Sequence, residues 1–413
     1  MRTYWLYIES YTMIFRKEQT FLFYNTISGQ HFKLHQRPFL IGIIKKLQDI
    51  DNGYCIELSE SELHLQEMKE FIQLLRENFC GDVIDREFTK IKPFSLYPVS
   101  SVMKNRERMK SNDDLLAGEK IMDYLHLLSI QITGNCDLKC DLCSTTYLQT
   151  VSCSSSDNEL EYESIESIFN QISGCSLTSM NIVRGNVFSY KTWEKLMILF
   201  NRNPYRYYFF TDYSHINKDK LQDIKSIDST LQVIIPGMFD RKILEQMFNI
   251  ISGKDFELIF HISSEEQMLS TNSFCEMLQI ENYTLLPVYS NSSPIFFRDF
   301  IFMDEESIVS SPVSKQTIFA NMTLNTTDFG KLTVLSNGDI QANPNFPKLG
   351  NVKTDTIRAT ILKELAQGKS WFRIRNQKPC SDCIYQWLCP PPSNYEIAIG
   401  RSNLCHLNEC INK

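Results

Sequence analysis

Ile132-Thr133-Gly134-Asn135-Cys136-Asp137-Leu138-Lys139-Cys140-Asp141-Leu142-Cys143 is the stretch from which the rest of the chain is read. It spaces three cysteines as C-x3-C-x2-C directly after an apolar run, Leu127 to Ile132. Three thiolates in one short loop can each hold one iron of a [4Fe-4S] cube, which ordinarily takes four Cys ligands, so a local set of three leaves one iron open to chemistry. A zinc site would want a fourth protein ligand, Cys or His, and none lies nearby in sequence.

Downstream of this loop, strand and helix patterns alternate. The expected strands are Leu127 to Ile132, Met180 to Val183, Tyr205 to Phe210, Leu231 to Ile235, Phe256 to Ile262 and Tyr283 to Tyr289. Amphipathic stretches such as Tyr162 to Ile172, Thr192 to Asn201 and Arg241 to Ile251 separate them. This alternation implies an α/β chain with a parallel sheet, and six units suit a partial (βα)6 TIM-like barrel. Chemistry in such barrels sits on loops after the strands' C-terminal ends, where the cysteine loop falls. His215 and His261 also lie at or near strand ends, and a lone histidine is more often structural than catalytic. The polar, aromatic-rich stretch Ser290 to Asn325 shows no pattern.

Upstream, Tyr4 to Ile8, Met13 to Phe15 and Thr20 to Tyr24 read as strands, with a turn over Asn25 to Gly29. Helical spacing follows over Arg37 to Asp49, and a second helix is expected from Ser59 to about Asn78. Hairpins followed by helices outline a winged-helix-like α+β module over residues 1–90. Pro93, Pro98 and the basic run Lys104 to Lys110 mark a linker over 91–120.

The C-terminal region holds a second cysteine group: Cys380-x2-Cys383-x5-Cys389, then Cys405 and Cys410. Thiolates at these spacings fit either a four-Cys iron-sulfur cluster or tetrahedral zinc. Cys55, Cys80, Cys153, Cys175 and Cys275 stand alone and read as packing residues, with spare ligation a further option for Cys153.

The net charge of -7 argues against nucleic acid as a partner. No apolar run reaches membrane-spanning length, so no membrane partner is expected. The first residues lack a signal-peptide cleavage pattern, and eight of the 13 cysteines sit in two groups as metal ligands do, so a cytoplasmic protein is expected.

The spacing of Cys136, Cys140 and Cys143 resembles that of the radical S-adenosylmethionine (SAM) enzymes, in which SAM chelates the open iron and is cleaved to a carbon radical. The resemblance implies that the second strand ends in a SAM-binding Gly-Gly-Glu, matched here by Arg184-Gly185-Asn186, and that Leu142 faces adenine. Asn186 replaces the acid that holds the SAM amino group, and Arg184 brings a positive charge.

The tail resembles the SPASM extension of radical SAM peptide maturases, which spans residues 301–413 in this chain and follows a barrel over 121–300. Its hairpin matches Leu332 to Ile340, but Asn343 and Ser393 stand where the family has cysteines of its first auxiliary cluster. Cys380, Cys383, Cys389 and a late cysteine match the second. Two [4Fe-4S] clusters in all are therefore expected. The N-terminal aromatic strands and the tail Cys389 to Glu396 look most like the pseudo-radical-SAM/SPASM proteins of Bacteroidales GG-leader peptide systems. That resemblance implies ribosomal-peptide (RiPP) maturation, a GG-leader-type precursor peptide as partner, and a companion radical SAM maturase. The outline of residues 1–90 resembles the leader-peptide recognition domains of peptide-modifying enzymes, which implies leader binding by strand addition to a sheet edge, with a purely structural cap as the alternative. Two alternatives are a silent pseudoenzyme partner and a zinc-stapled binding module.

Overall fold

The computed structural model describes residues 2–35, 37–89, 91–93, 121–136, 143–150, 156–177, 179–251 and 255–407. The expected linker falls almost wholly outside the described residues.

The chain opens with β1 (Thr3–Ile8), β2 (Thr12–Lys17), β3 (Thr20–Asn25) and β4 (His31–His35). Strands β2, β3 and β4 form an antiparallel meander, as the strand-turn-strand pattern predicts. β1 does not join it. It lies between β5 (Cys55–Ser59) and β6 (Gly81–Asp85) in a second antiparallel sheet, leaving β6 at an edge. β5 and β6 are too short and polar to stand out in sequence, and their pairing with β1 makes them strands.

Pro38 fills the first turn of helix Pro38–Gln48, where its missing N–H costs nothing. Leu40, Ile43, Ile44 and Leu47 bury one stripe of that helix. The helix expected from Ser59 to Asn78 is broken into Glu60–Leu63, started by a Ser59/Glu62 capping box, and Gln66–Glu77. Met68, Phe71, Ile72 and Leu75 of the latter share a core with Leu6, Ile8, Phe23 and Tyr54.

The second half holds β7 (Leu127–Ile130), β8 (Ser179–Ile182), β9 (Arg206–Asp212), β10 (Ser229–Ile235), β11 (Phe256–Ile262) and β12 (Tyr283–Pro287). All six lie parallel and in sequence order, as the alternation predicts. β10 is buried at every position, as expected of a central strand covered on both faces. At the other edge, β13 (Lys331–Val334) pairs in parallel with β7, and β14 (Asp339–Gln341) and β15 (Gly350–Asn351) follow antiparallel. The tail hairpin thus continues the same sheet.

One sheet face packs Leu128, Met180, Phe209, Val233 and Phe260 against the intervening helices, in one core with Val334 and Trp371. On the other face, Leu127 and Ser129 of β7 line a single cavity of 380 Å³ together with Thr284 and Leu286 of β12. Five strand spacings would put these residues roughly 24 Å apart on a flat sheet, so the sheet curves around the cavity.

The stretch without a sequence pattern folds as helices Pro294–Phe300, Glu305–Val309 and Lys315–Thr323. It joins the first module to the tail: Met13, Phe15, Leu22 and Tyr24 pack with Ile308, Ile318, Tyr385 and Leu388. Lys17 Nζ reinforces this contact, donating to the Ser381 carbonyl at 2.5 Å and to Gln386 Oε1 at 2.9 Å. Among the described residues no helix is long and apolar enough to cross a membrane.

Candidate metal centres and cofactor site

Past the end of β7 the chain is clamped before it reaches the first cysteine. Thr133 bridges to Glu159, Gly134 N donates to the Asn158 carbonyl at 2.8 Å, and Ser156 N donates to the Gly134 carbonyl at 2.8 Å. A Cβ on Gly134 would overlap Ser156, so only glycine fits there. Cys136 is therefore placed at the C-terminal end of the first parallel strand, and the helix Cys143–Gln149 starts with the third cysteine. Cys140, Leu142 and the Cys143 side chain lie outside the described residues.

The turn after β8 packs on this loop. Asn186 N donates to the Asn135 carbonyl at 2.7 Å, and a Cβ on Gly185 would sit 2.5 Å from the Thr133 carbonyl oxygen. Arg184 and Gly185 both have a φ of +67°, the left-handed region that glycine enters without penalty and arginine does not. The backbone thus has the form two glycines would take, with arginine forced into the first position, and strain of this kind gathers at functional sites.

Arg184 is buried, lines the interior cavity, and has its guanidinium carbon 5.1 Å from the centre of the Tyr147 ring. Asn186 Oδ1 is buried with no hydrogen-bond partner among the described residues. That oxygen can accept a hydrogen bond from a donor such as an ammonium group, two residues along the chain from the Arg184 side chain that lines the cavity.

Helix Cys143–Gln149 crosses to the far edge of the sheet. Gln149 donates from Nε2 to the Tyr289 carbonyl at 2.9 Å and accepts from Tyr289 N at 2.7 Å, just past β12. Nothing in the pattern of these residues announces Tyr147 or Gln149 as site residues. Glu257 also lines the cavity, with its carboxylate accepting from Thr284 Oγ1 at 2.7 Å and Gln232 Nε2 at 3.1 Å. His261 shares the β11 face of Glu257 and Ile259 by the two-residue strand period. Burial lowers its pKa to about 4, and its Nε2 is without a partner among the described residues.

In the tail, Cys380, Cys383, Cys389 and Cys405 line one small cavity of 20 Å³. Cys405 reaches it because the chain there pairs with Met303, whose N donates to the Leu404 carbonyl at 3.0 Å and whose carbonyl accepts from His406 N at 2.9 Å. Cys410 lies outside the described residues. Burial raises the pKa of Cys383 and Cys405 and pushes Cys389 up to about 12, Arg375 pulling Cys389 the other way. Metal uptake here should therefore release protons.

Four thiols around one cavity suit a [4Fe-4S] cluster or zinc by donor chemistry. Zinc would draw the sulfurs to about 3.8 Å from one another, as Zn–S bonds of about 2.3 Å require. Among the described residues no three His, Cys, Asp or Glu side chains are placed to hold a single ion. Conversely, 20 Å³ has room for about one water, so a cube needs the thiols to rotate outward.

Asn343 and Ser393 lie in a different arrangement. Asn343 Nδ2 donates to Asp328 Oδ2 at 3.0 Å and to Asn394 Oδ1 at 2.7 Å, so residues 51 apart in sequence meet here. Asp328 also accepts from Ser370 Oγ at 3.0 Å and pairs with Arg373 at 3.4 Å. Ser393 caps helix Asn394–Ile399. Asn343 and Ser393 are thus neighbours, linked through Asn394, Asp328 and Arg373, whose Nη1 donates to the Ser393 carbonyl at 3.2 Å.

A further cavity of 640 Å³ lies between helix Gln66–Glu77 and the edge strand β6, lined by Tyr4, Leu63, Ile72, Arg76, Val83 and Asp85 among others.

No family model matches this chain, and no curated protein does. Among solved structures it is similar to hexahistidine-tagged anSMEcpe with bound AdoMet, at 14% identity and a TM-score of 0.46 over 67% of this chain and 95% of that one. Native anSMEcpe with bound AdoMet and Kp18Cys peptide matches at 14% identity and a TM-score of 0.47, over 67% of this chain and 96% of that one. BtrN in complex with AdoMet and 2-DOIA matches at 12% identity and a TM-score of 0.30, over 60% and 90%.

Proposed function

We propose that this chain is an iron-sulfur protein of ribosomal-peptide maturation, built on a radical SAM/SPASM scaffold with weakened SAM turnover. The observation that supports this best is the placement of the Cys136 loop at the C-terminal end of β7, the first of the consecutive parallel strands β7–β12, in contact with the turn after β8. Cys136, Cys140 and Cys143 would hold a cluster with an open iron. Cys380, Cys383, Cys389 and Cys405 would hold the second. Asn186 would accept from SAM, whose cleavage supplies radical chemistry when it is bound.

Two other readings each have one observation in their favour. Arg184 inside the cavity favours a silent partner that binds the precursor or a companion maturase. The small tail cavity favours zinc.

The peptide partner would be a GG-type leader lying in the groove beside β6. An edge strand offers unpaired backbone groups to an extended peptide, and the facing helix supplies side-chain pockets. Because the β2–β4 meander buries one face against the tail, the test should use the full chain rather than residues 1–90. Titration calorimetry with GG-type leader peptides should show binding, and Val83→Lys on the groove wall should weaken it at least about tenfold, since it replaces apolar lining with a charge that a bound peptide would desolvate. No heat from any leader, or equal affinity for Val83→Lys, would remove the groove from the reading.

A further inference from the structure

Two buried N–H donors reach the tail cavity from outside its cysteines. The Arg375 side chain is 9% exposed and its partner Glu396 5%. Arg375 donates from Nε to the Pro390 carbonyl at 2.5 Å and from Nη2 to Glu396 Oε1 at 3.0 Å and the Pro391 carbonyl at 3.5 Å. The fork so fixed sets Nη1 3.7 Å from Cys380 Sγ as a donor. Glu396 cannot drift away, because its other oxygen accepts from Ser393 N at 2.6 Å in the helix cap. Asn403 lines the same cavity, is 6% exposed, and its Nδ2 has no acceptor among the described residues. A buried amide N–H without an acceptor is costly, and electron-rich sulfur in the cavity would satisfy it.

Four thiolates around a [4Fe-4S] core leave it anionic, and one-electron reduction adds a further negative charge. Donors to the sulfurs and positive charge nearby favour the reduced form and raise its potential. We propose that Arg375 and Asn403 donate hydrogen bonds to the sulfurs of a cluster held by Cys380, Cys383, Cys389 and Cys405, and that the Arg375–Glu396 pair sets its reduction potential. This inference rests on the iron-sulfur reading of the tail. Arg375 acts as the near, positive end of the pair and Glu396 as the far, negative one.

The two charges can therefore be separated by sign. The test uses the full chain with Cys136, Cys140 and Cys143 changed to Ala, so that the tail centre alone reports. After anaerobic reconstitution and iron and sulfide analysis, its potential is measured by EPR-monitored redox titration. Glu396→Gln should raise the potential, with about a tenfold change in the reduction equilibrium, or about 59 mV for one electron. Gln at this position still closes the capping box, so the helix start is kept. Arg375→Gln combined with Glu396→Gln should lower the potential by a similar factor, and it leaves no unpaired buried carboxylate. Asn403→Leu should lower it less and alter the EPR line shape. Equal potentials in all variants, or shifts of one sign for the first two, would overturn the inference. A parent protein that takes up zinc without sulfide would overturn the iron-sulfur reading itself, a failure visible before any of these three substitutions is made.

Discussion

Replacing Arg184 by Gly together with Asn186 by Glu should tighten SAM binding about ten- to a hundredfold and raise 5′-deoxyadenosine formation by reduced protein. Arg184 is buried on the wall of the interior cavity, and Asn186 holds an orphan oxygen in the turn against the Cys136 loop. A neutral amide gives an ammonium one hydrogen bond, and a carboxylate adds charge. The difference in a largely desolvated site is worth about 1.5 to 3 kcal/mol, and about 1.4 kcal/mol is a factor of ten. Unchanged SAM affinity in the double variant would mean that this turn does not face SAM. If wild-type protein already cleaves SAM as fast as a relative with Gly-Gly-Glu, the weakened-turnover reading is wrong.

Changing Cys136, Cys140 and Cys143 together to Ala should remove one of two clusters, about four of about eight irons, and leave the tail centre spectroscopically intact. The reciprocal change of Cys380, Cys383 and Cys389 should remove the other. It should also lower the melting temperature of the loaded protein, because a metal held there ties the tail beside its contact with Met13, Phe15, Leu22 and Tyr24, which Cys383 and Cys389 adjoin. Metal binding only to the folded state stabilises it by mass action, so the loss should appear in loaded protein and vanish in metal-free protein. If either triple change removes all the iron, the two cysteine groups do not form independent centres.

The parallel sheet was legible because its strands are apolar runs separated by amphipathic helices, a pattern that survives in sequence even where single residues are polar. The place of Cys136 followed from it. β5 and β6 were not legible, since Gly81–Asp85 is a strand only by its pairing with β1. The helices between Pro294 and Thr323 were missed because they are only seven, five and nine residues long and the longest buries the polar Asn321 and Thr323 beside Ile318, so none shows a long apolar stripe. Within the site, cysteine spacing marks thiols but not what surrounds them. Arg375, Glu396 and Asn403 sit in unremarkable local sequence, and only the folded chain brings them to one cavity. Asn343 and Ser393 were read together from sequence, as two positions of one cysteine set in the family the tail resembles, and the bond from Asn343 to Asn394 places them in one locality.

Iron, acid-labile sulfide and zinc analysis of full-length protein, reconstituted anaerobically, tests the iron-sulfur assignment most directly. About eight irons and eight sulfides per chain, with a [4Fe-4S] signal and little zinc, is the expected result. Stoichiometric zinc with no acid-labile sulfide would contradict it and leave a zinc-stapled binding module.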